Sequence, residues 1–211
     1  MKILAVDTSH GRCSIALLDK DNLSVKEVKE NSRQAEILLP LIEEILSENN
    51  LEYKDIDLLS STIGPGSFTG LRIGMTAVKG IALATGKPTI GVNTLETIAF
   101  EVSNTDGKII SVLNAQRGQV YVQKFSVKGG EFKHESEAEI LNLEEVKIDD
   151  DYTIIGNCNG LIDGVEMDIE TYPHASLAAK LAAYKFSGES EDLTPLYVRP
   201  PDAKKAKKIF S

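Results

Sequence analysis

One stretch constrains this chain more than any other: residues 58–98, LLSSTIGPGSFTGLRIGMTAVKGIALATGKPTIGVNTLETI. Its first apolar run, 58–63, is bounded by Gly64-Pro65-Gly66, which predicts a buried strand ending in a tight turn. Ser67 or Thr69 can cap the helix that follows, and Gly86-Lys87-Pro88 stops it. A second short strand is expected at 89–92. Strand, glycine turn, helix and strand form a parallel crossover, with the turn at the carboxyl end of the first strand. Ligands sit at such turns in α/β proteins, because glycine lets N–H groups approach and a helix start favours anions.

The turn matches neither common phosphate loop. Gly-Lys-Ser/Thr is missing, and Gly64, Gly66 and Gly70 are spaced one residue too long for the dinucleotide fingerprint. Glycine turns are mostly just turns, so Gly64, Pro65, Gly66 and Gly70 read as a structural turn ahead of a ligand loop.

The 211 residues, 42% hydrophobic and 26% charged, suit one large domain or two small lobes. No apolar run reaches membrane-spanning length, so no membrane contact is expected. The opening residues run straight into a strand rather than a signal peptide. Cys13 and Cys158 supply neither a disulfide framework nor a metal pattern; they read as small core residues of a cytoplasmic protein. A net charge of −9 argues against gripping a polyanion alone, though not against membership of an RNA-handling complex. The basic cluster Lys204, Lys205, Lys207 and Lys208 reads as a solvated tail ahead of an RNA contact.

The chain opens as a β-meander: strands at 3–7 and 13–18, then an edge strand at 24–30. Asp7, Thr8 and Ser9 at the first hairpin tip can hold a hydrated cation and phosphate oxygens, or simply satisfy their own turn. A helix is expected at 32–48, capped by Ser32, with Leu38, Leu39, Ile42, Ile45 and Leu46 on one apolar face and Ile37 and Leu41 on a second side. Pro40 either kinks this helix or marks its true start. The helix at 69–85 is apolar nearly all round, with Gly74, Ala77 and Gly80 leaving a flat side. A lobe of about 100 residues has difficulty burying two such helices. Part of the pair is therefore expected to face another protein chain, unless the second lobe covers it.

After a short helix at 94–102, the polar stretch 104–107 reads as the boundary between lobes 1–103 and 104–211. The opening pattern then returns at 108–125, with a strand, a polar tip and a strand, which suggests duplicated lobes. Residues 142–146 look helical, 152–155 a strand, 174–186 a helix closed by Gly188, and 193–199 extended.

Three segments together resemble the TsaB (YeaZ) family: Asp7-Thr8-Ser9 before Cys13-Ser14-Ile15-Ala16-Leu17; Gly64-Pro65-Gly66-Ser67-Phe68-Thr69-Gly70-Leu71-Arg72-Ile73-Gly74; and Pro195-Leu196-Tyr197-Val198-Arg199. The resemblance implies an α/β fold of the actin-like, sugar-kinase and Hsp70 ATPase type, with two ribonuclease-H-like lobes of mixed sheets flanked by helices. It implies a non-catalytic partner of the paralogue TsaD in making threonylcarbamoyladenosine in tRNA, alongside the ATPase TsaE and the threonylcarbamoyl-AMP synthase TsaC. It also implies that the N-lobe helices form both a homodimer and the TsaD heterodimer. Ile37, Leu41, Ile45, Ile73, Ala77 and Gly80 are then the expected interface, and tRNA is met only through the complex.

Two departures narrow that picture. TsaD proteins read His-Leu-Glu-Ala-His where this chain has Asn93-Thr94-Leu95-Glu96-Thr97-Ile98, so Thr94 and Ile98 stand at the metal-binding histidine positions and no metal is expected there. The second-lobe tip, Asn114-Ala115-Gln116-Arg117-Gly118-Gln119, carries Asn114 where the family has an acid. Asp7, Thr8, Ser9 and Asn114 thus read as a vestigial nucleotide site, with weak ATP or ADP binding at most. A scaffold subunit is the leading reading. An ATPase or small-molecule kinase lacks a complete phosphate cradle. A peptidase, suggested by the wider family's glycoprotease label, lacks His-Glu-x-x-His, and His10, His134 and His174 lie in separate contexts.

Overall fold

The computed structural model describes residues 1–29 and 33–198. Ser32, Arg199, the Pro200-Pro201 pair and the Lys204–Lys208 cluster lie outside the described residues. Strands β1 (Lys2–Asp7), β2 (Cys13–Asp19) and β3 (Asn22–Val28) form the opening meander. Helix α1 (Gln34–Glu48) leads to β4 (Leu58–Gly64), and helix α2 (Phe68–Thr85) leads to β5 (Thr89–Asn93) and the short α3 (Thr94–Ala99). The first sheet runs β3-β2-β1-β4-β5, antiparallel through β1 and parallel beyond it.

The second lobe repeats that order. β6 (Gly107–Gln116) and β7 (Gln119–Lys128) make its hairpin, followed by β8 (Glu131–His134), β9 (Glu139–Asn142), β10 (Tyr152–Gly156), β11 (Ile169–Glu170) and helix α4 (Ala175–Lys185). Its path is β11-β10-β6-β7-β8, with β9 pairing β7. The β6–β7 and β7–β8 pairs are antiparallel, whereas β6–β10 and β10–β11 are parallel. The fold is therefore α/β with two mixed sheets flanked by helices, and the two meanders are duplicates in strand order as well as in sequence pattern.

Several expectations change. The segment 142–146 is a single 3-10 turn after β9, because residues 139–142 pair with β7 rather than coiling. Helix α1 runs through Pro40. The missing N–H is tolerated because Leu38, Ile42, Ile45 and Leu46 on the buried side anchor both halves to the core. Leu39 points away and is 46% exposed.

The first sheet is covered on one face by α1 and α2, with Leu4, Val6, Ile15, Leu17 and Leu59 packed under Ile42, Leu71, Met75 and Val78. Its other face is covered by α4, whose Ala175, Ala178, Ala179, Leu181 and Ala182 lie on Ile3, Ala5, Ala16, Leu58 and Ile90. Small side chains on α4 let its backbone approach the sheet closely. The chain after residue 174 thus returns to the first lobe. The following segment stays there, with Leu196 N donating to Ile63 O at 2.8 Å and Leu193 buried in the first core. Helix α4, which follows the second sheet in the chain, therefore packs on the first sheet.

Candidate functional site

Asp7 ends β1 and is 0% exposed. Its Oδ1 accepts from Thr62 Oγ1 at 2.6 Å and from Ser9 Oγ at 2.7 Å, while Oδ2 is buried without a partner. Thr8 Oγ1 donates to Gly70 O at 2.7 Å, and Ser67 N donates to Ser9 O at 2.8 Å. The first hairpin tip and the glycine turn are therefore packed directly on each other.

That contact explains the glycines. A Cβ on Gly66 would lie 2.7 Å from Ser9 O, and one on Gly74 would lie 2.6 Å from Thr8 Oγ1. At Gly70 a Cβ would run into the main-chain oxygen of Thr8. Helix α2 starts at a working N-cap, with Ser67 Oγ accepting from Gly70 N at 3.2 Å. The amides of residues 67, 70 and 71 are all used inside the protein. Thr8, Ser9 and Ser67 thus occupy the space beside these glycines and take three of the amide donors at the turn.

Asn114 behaves differently. Its Oδ1 accepts from Gln116 N at 2.7 Å, and its own N–H donates to Asn157 Oδ1 at 2.8 Å, so it shapes the β6–β7 hairpin. The partners of Asn114 and those of Asp7 lie in separate sheets. The three histidines also stay apart. His10 Nδ1 lies 3.2 Å from Ser9 Oγ, and burial lowers its imidazole against the opposing pull of Asp7. Ser9 stands between Asp7 and His10, whereas a hydrolytic triad needs the imidazole in the middle. His174 caps α4, accepting from Ser176 N at 3.2 Å. Burial pushes the Cys13 and Cys158 thiols up to about 12, helped at Cys13 by Asp7, so both are inert core groups.

At the position of the TsaD histidine motif, Thr94 and Ile98 are both fully buried, and Thr94 Oγ1 has no hydrogen-bond partner. Among the described residues, no group of three or more His, Cys, Asp or Glu side chains is arranged to hold a metal ion.

The expected interface residues divide. Ile37, Leu41, Ile73 and Ala77 are half-buried at the edge of the first core, and Gly80 is exposed. Ile45 does not belong with them: it is 0% exposed, turned inward one helical turn beyond Leu41. Helix α2 buries Leu71, Met75 and Val78 and leaves Leu83 89% exposed. Among the described residues its neighbours include β4, β1, β5, α1 and the 53–55 turn, and its Lys79 and Arg72 reach Asp192 and Tyr197 of the final segment. No helix of the described residues is long and apolar enough to cross a membrane.

Two clusters were not legible in the sequence. Phe68, Arg72 and Tyr197 stack together, the guanidinium 3.8 Å from the Phe68 ring centre and its Nε donating to Tyr197 OH at 3.0 Å. Buried Glu96 accepts from Lys185 Nζ at 2.9 Å and pairs with His134 Nε2 at 2.9 Å. Burial alone would raise the Glu96 carboxyl, but the His134 hydrogen bond and the Lys185 ammonium outweigh it and hold the group below the ordinary carboxylate range. Locally, Glu96 reads only as an acid in the first turn of a helix capped by Asn93.

A family model described as TsaD, tRNA N6-adenosine threonylcarbamoyltransferase, matches residues 29–189. The Escherichia coli (strain K12) protein named tRNA threonylcarbamoyladenosine biosynthesis protein TsaB is 32% identical over 69% of this chain and 64% of its own length. The Bacillus subtilis protein of the same name is 35% identical over 62% of this chain and 57% of its length. The chain thus spans about six-tenths of both these curated relatives. The TsaB of Buchnera aphidicola subsp. Baizongia pistaciae is 31% identical over 74% of each chain. Two Pseudomonas aeruginosa crystal structures share the fold. The one described as YeaZ superposes with a TM-score of 0.79 at 26% identity, over 93% of this chain and 99% of that one. The other, described as similar to peptidase YeaZ, gives a TM-score of 0.83 at 25% identity, over 94% and 99%. With its motifs, its duplicated sheets and these relatives in agreement, the chain belongs to the TsaB (YeaZ) family.

Proposed function

We propose that this chain serves tRNA threonylcarbamoyladenosine biosynthesis as an accessory subunit without a catalytic site, docking a TsaD-family transferase through the outer faces of α1 and α2. The names of its curated relatives support the pathway. The observation that carries the docking role is the partly exposed apolar line along α2. Ile73, Ala77, Gly80 and Ala84 fall on one line at helical spacing, with Leu83 beside it. Nothing lies within 4 Å of where a Gly80 Cβ would be, so a partner helix can approach closely there. Leaving such a face in water forfeits about 1.5–3 kcal/mol for each large side chain that a partner could bury. The same face serves a homodimer when the partner is absent. The chain carries a net charge of −9, so tRNA is held by the complex rather than by this chain. TsaE joins only in that larger complex.

Light scattering coupled to size exclusion tests this, with the chain alone and then mixed with the TsaD-family protein of its own organism. A heterodimer that forms in the wild type and weakens about tenfold or more in Ile73→Glu or Leu41→Glu supports docking. A monomer indifferent to the transferase, or a complex untouched by both substitutions, overturns it.

A second reading, weak binding of ATP or ADP at the Asp7 hairpin tip, has one observation in its favour. Asp7 keeps a buried, unpartnered Oδ2 of the kind that a bound cation would satisfy. Calorimetric titration with magnesium and ATP, wild type against Asp7→Asn, separates the two. Heat of binding that disappears in the variant favours the second reading.

A further inference from the structure

Glu96 closes a ring of side-chain contacts that spans the joint between the lobes. Asn93 Oδ1 accepts from Leu95 N at 2.8 Å and Glu96 N at 3.2 Å, so its Nδ2 must face outward, where it donates to Gln123 Oε1 at 2.8 Å. Gln123 Nε2 then donates to Ser136 O at 3.0 Å and lies 3.3 Å from His134 Nδ1. With Nδ1 accepting, the His134 proton sits on Nε2, which points at Glu96 Oε1 from 2.9 Å. Lys185 Nζ reaches both carboxylate oxygens, at 3.1 and 2.9 Å. The ring therefore ties α3 to the second sheet through Gln123 and His134. Lys185 ties it to α4, which lies on the first sheet.

An aromatic stack runs beside it through the same elements. Tyr184 of α4 lies 5.0 Å from Phe100, Phe100 lies 5.6 Å from Phe132 of β8, and Phe132 lies 5.3 Å from Phe125 of β7. A cleft that closes on a ligand needs a joint with two arrangements of similar energy. A buried carboxylate held by two partners has one, because sliding either sheet strands the charge in a low-dielectric interior. We infer that the Glu96–His134–Lys185 ring is an interlobe lock, which holds the two sheets at one angle whether or not nucleotide is present. The inference is independent of docking through α1 and α2.

Electron–electron distance measurement between spin labels tests it, with one label per lobe at the exposed positions of Asp21→Cys and Asp163→Cys. The native thiols are buried and do not take label. The expected result is one narrow distance distribution in the labelled protein, unchanged by magnesium and ATP. Glu96→Gln, or Lys185→Met should the first fail to fold, broadens it and raises amide exchange in β8 and α4 about tenfold or more. A distribution that is broad or shifts with magnesium and ATP overturns the lock. So does a folded Lys185→Met or Glu96→Gln protein whose distribution is as narrow as the parent's.

Discussion

The two lobes share one strand order and differ in what connects the strands. In the first, the links from β3 to β4 and from β4 to β5 contain α1 and α2, of 15 and 18 residues. In the second, the link from β8 to β10 holds only β9 and a 3-10 turn, and residues 157–168 join β10 to β11 without a helix. Loop side chains, Cys158, Ile162 and Met167, cover the second sheet where helices cover the first. The covering helix α2 also turns Leu83 and the Ile73–Ala77 line outward, whereas the second lobe's covering loop exposes Leu161 alone among its large apolar side chains. The proposed docking face is therefore on the first lobe, while loop side chains of the second close its own core.

The hairpin tips differ in the same sense. The first is clamped under the start of α2 by Thr8, Ser9, Gly66 and Gly70, while the second, with no helix to receive it, is shaped by Asn114 and Asn157. The largest expected effect follows from that clamp. Gly70→Ala drives a Cβ into the Thr8 main chain and should cost about 3 kcal/mol or more in urea unfolding. Gly164→Ala in the second lobe, with open space but a φ of +71°, should cost only about 1 kcal/mol. Equal losses would break the comparison.

Next in size is Glu96→Gln, which leaves the partly exposed Lys185 and His134 facing a neutral group and should cost about 1–2 kcal/mol near neutral pH. Folding lowers the Glu96 carboxyl, so the unfolded chain binds its proton more readily. The stabilisation is then complete above the unfolded carboxylate value and lost as pH falls through the lower folded value. Stability curves of wild type and variant should converge in acid, and curves that stay parallel would remove Glu96 from the account.

Asp7→Asn should change stability by about 1 kcal/mol or less, because the amide oxygen can keep the bonds from Thr62 and Ser9. If the cleft is vestigial, modification activity of the assembled complex stays near wild type. The smallest effect is Gly80→Ala, a gain of about 0.5–1 kcal/mol from helix propensity at an open position. The same methyl should weaken association with the transferase. A more stable variant that docks equally well would move the interface off the α2 line.

Much of this architecture is legible in local pattern. Apolar runs mark β1, β2, β4, β6 and β10, and Gly86 stops α2 in the left-handed conformation, as its place after an apolar helix implies. The Asp7-Thr8-Ser9 and Gly64–Gly74 motifs carry the family. The short strands β8, β9 and β11 escape, because two to four residues exposed on one side have no periodicity to read. Ile45, expected on the outer face, is fully buried for a related reason. Helical spacing assigns a residue to a face, but Ile45 and Leu41 lie close enough around α1 that only packing on the first sheet separates them.

By itself, the sequence determined the main strands and helices, the repeated strand–tip–strand pattern and the motifs that carry the family, because each of these is written in short contiguous segments. Only the tertiary structure decided that the glycine turn receives Thr8 and Ser9, that α4 returns to the first sheet, and that Glu96 meets Lys185, 89 residues away. These are contacts between segments distant in the chain. Their energies come from burial and pairing that exist only once both sheets are in place.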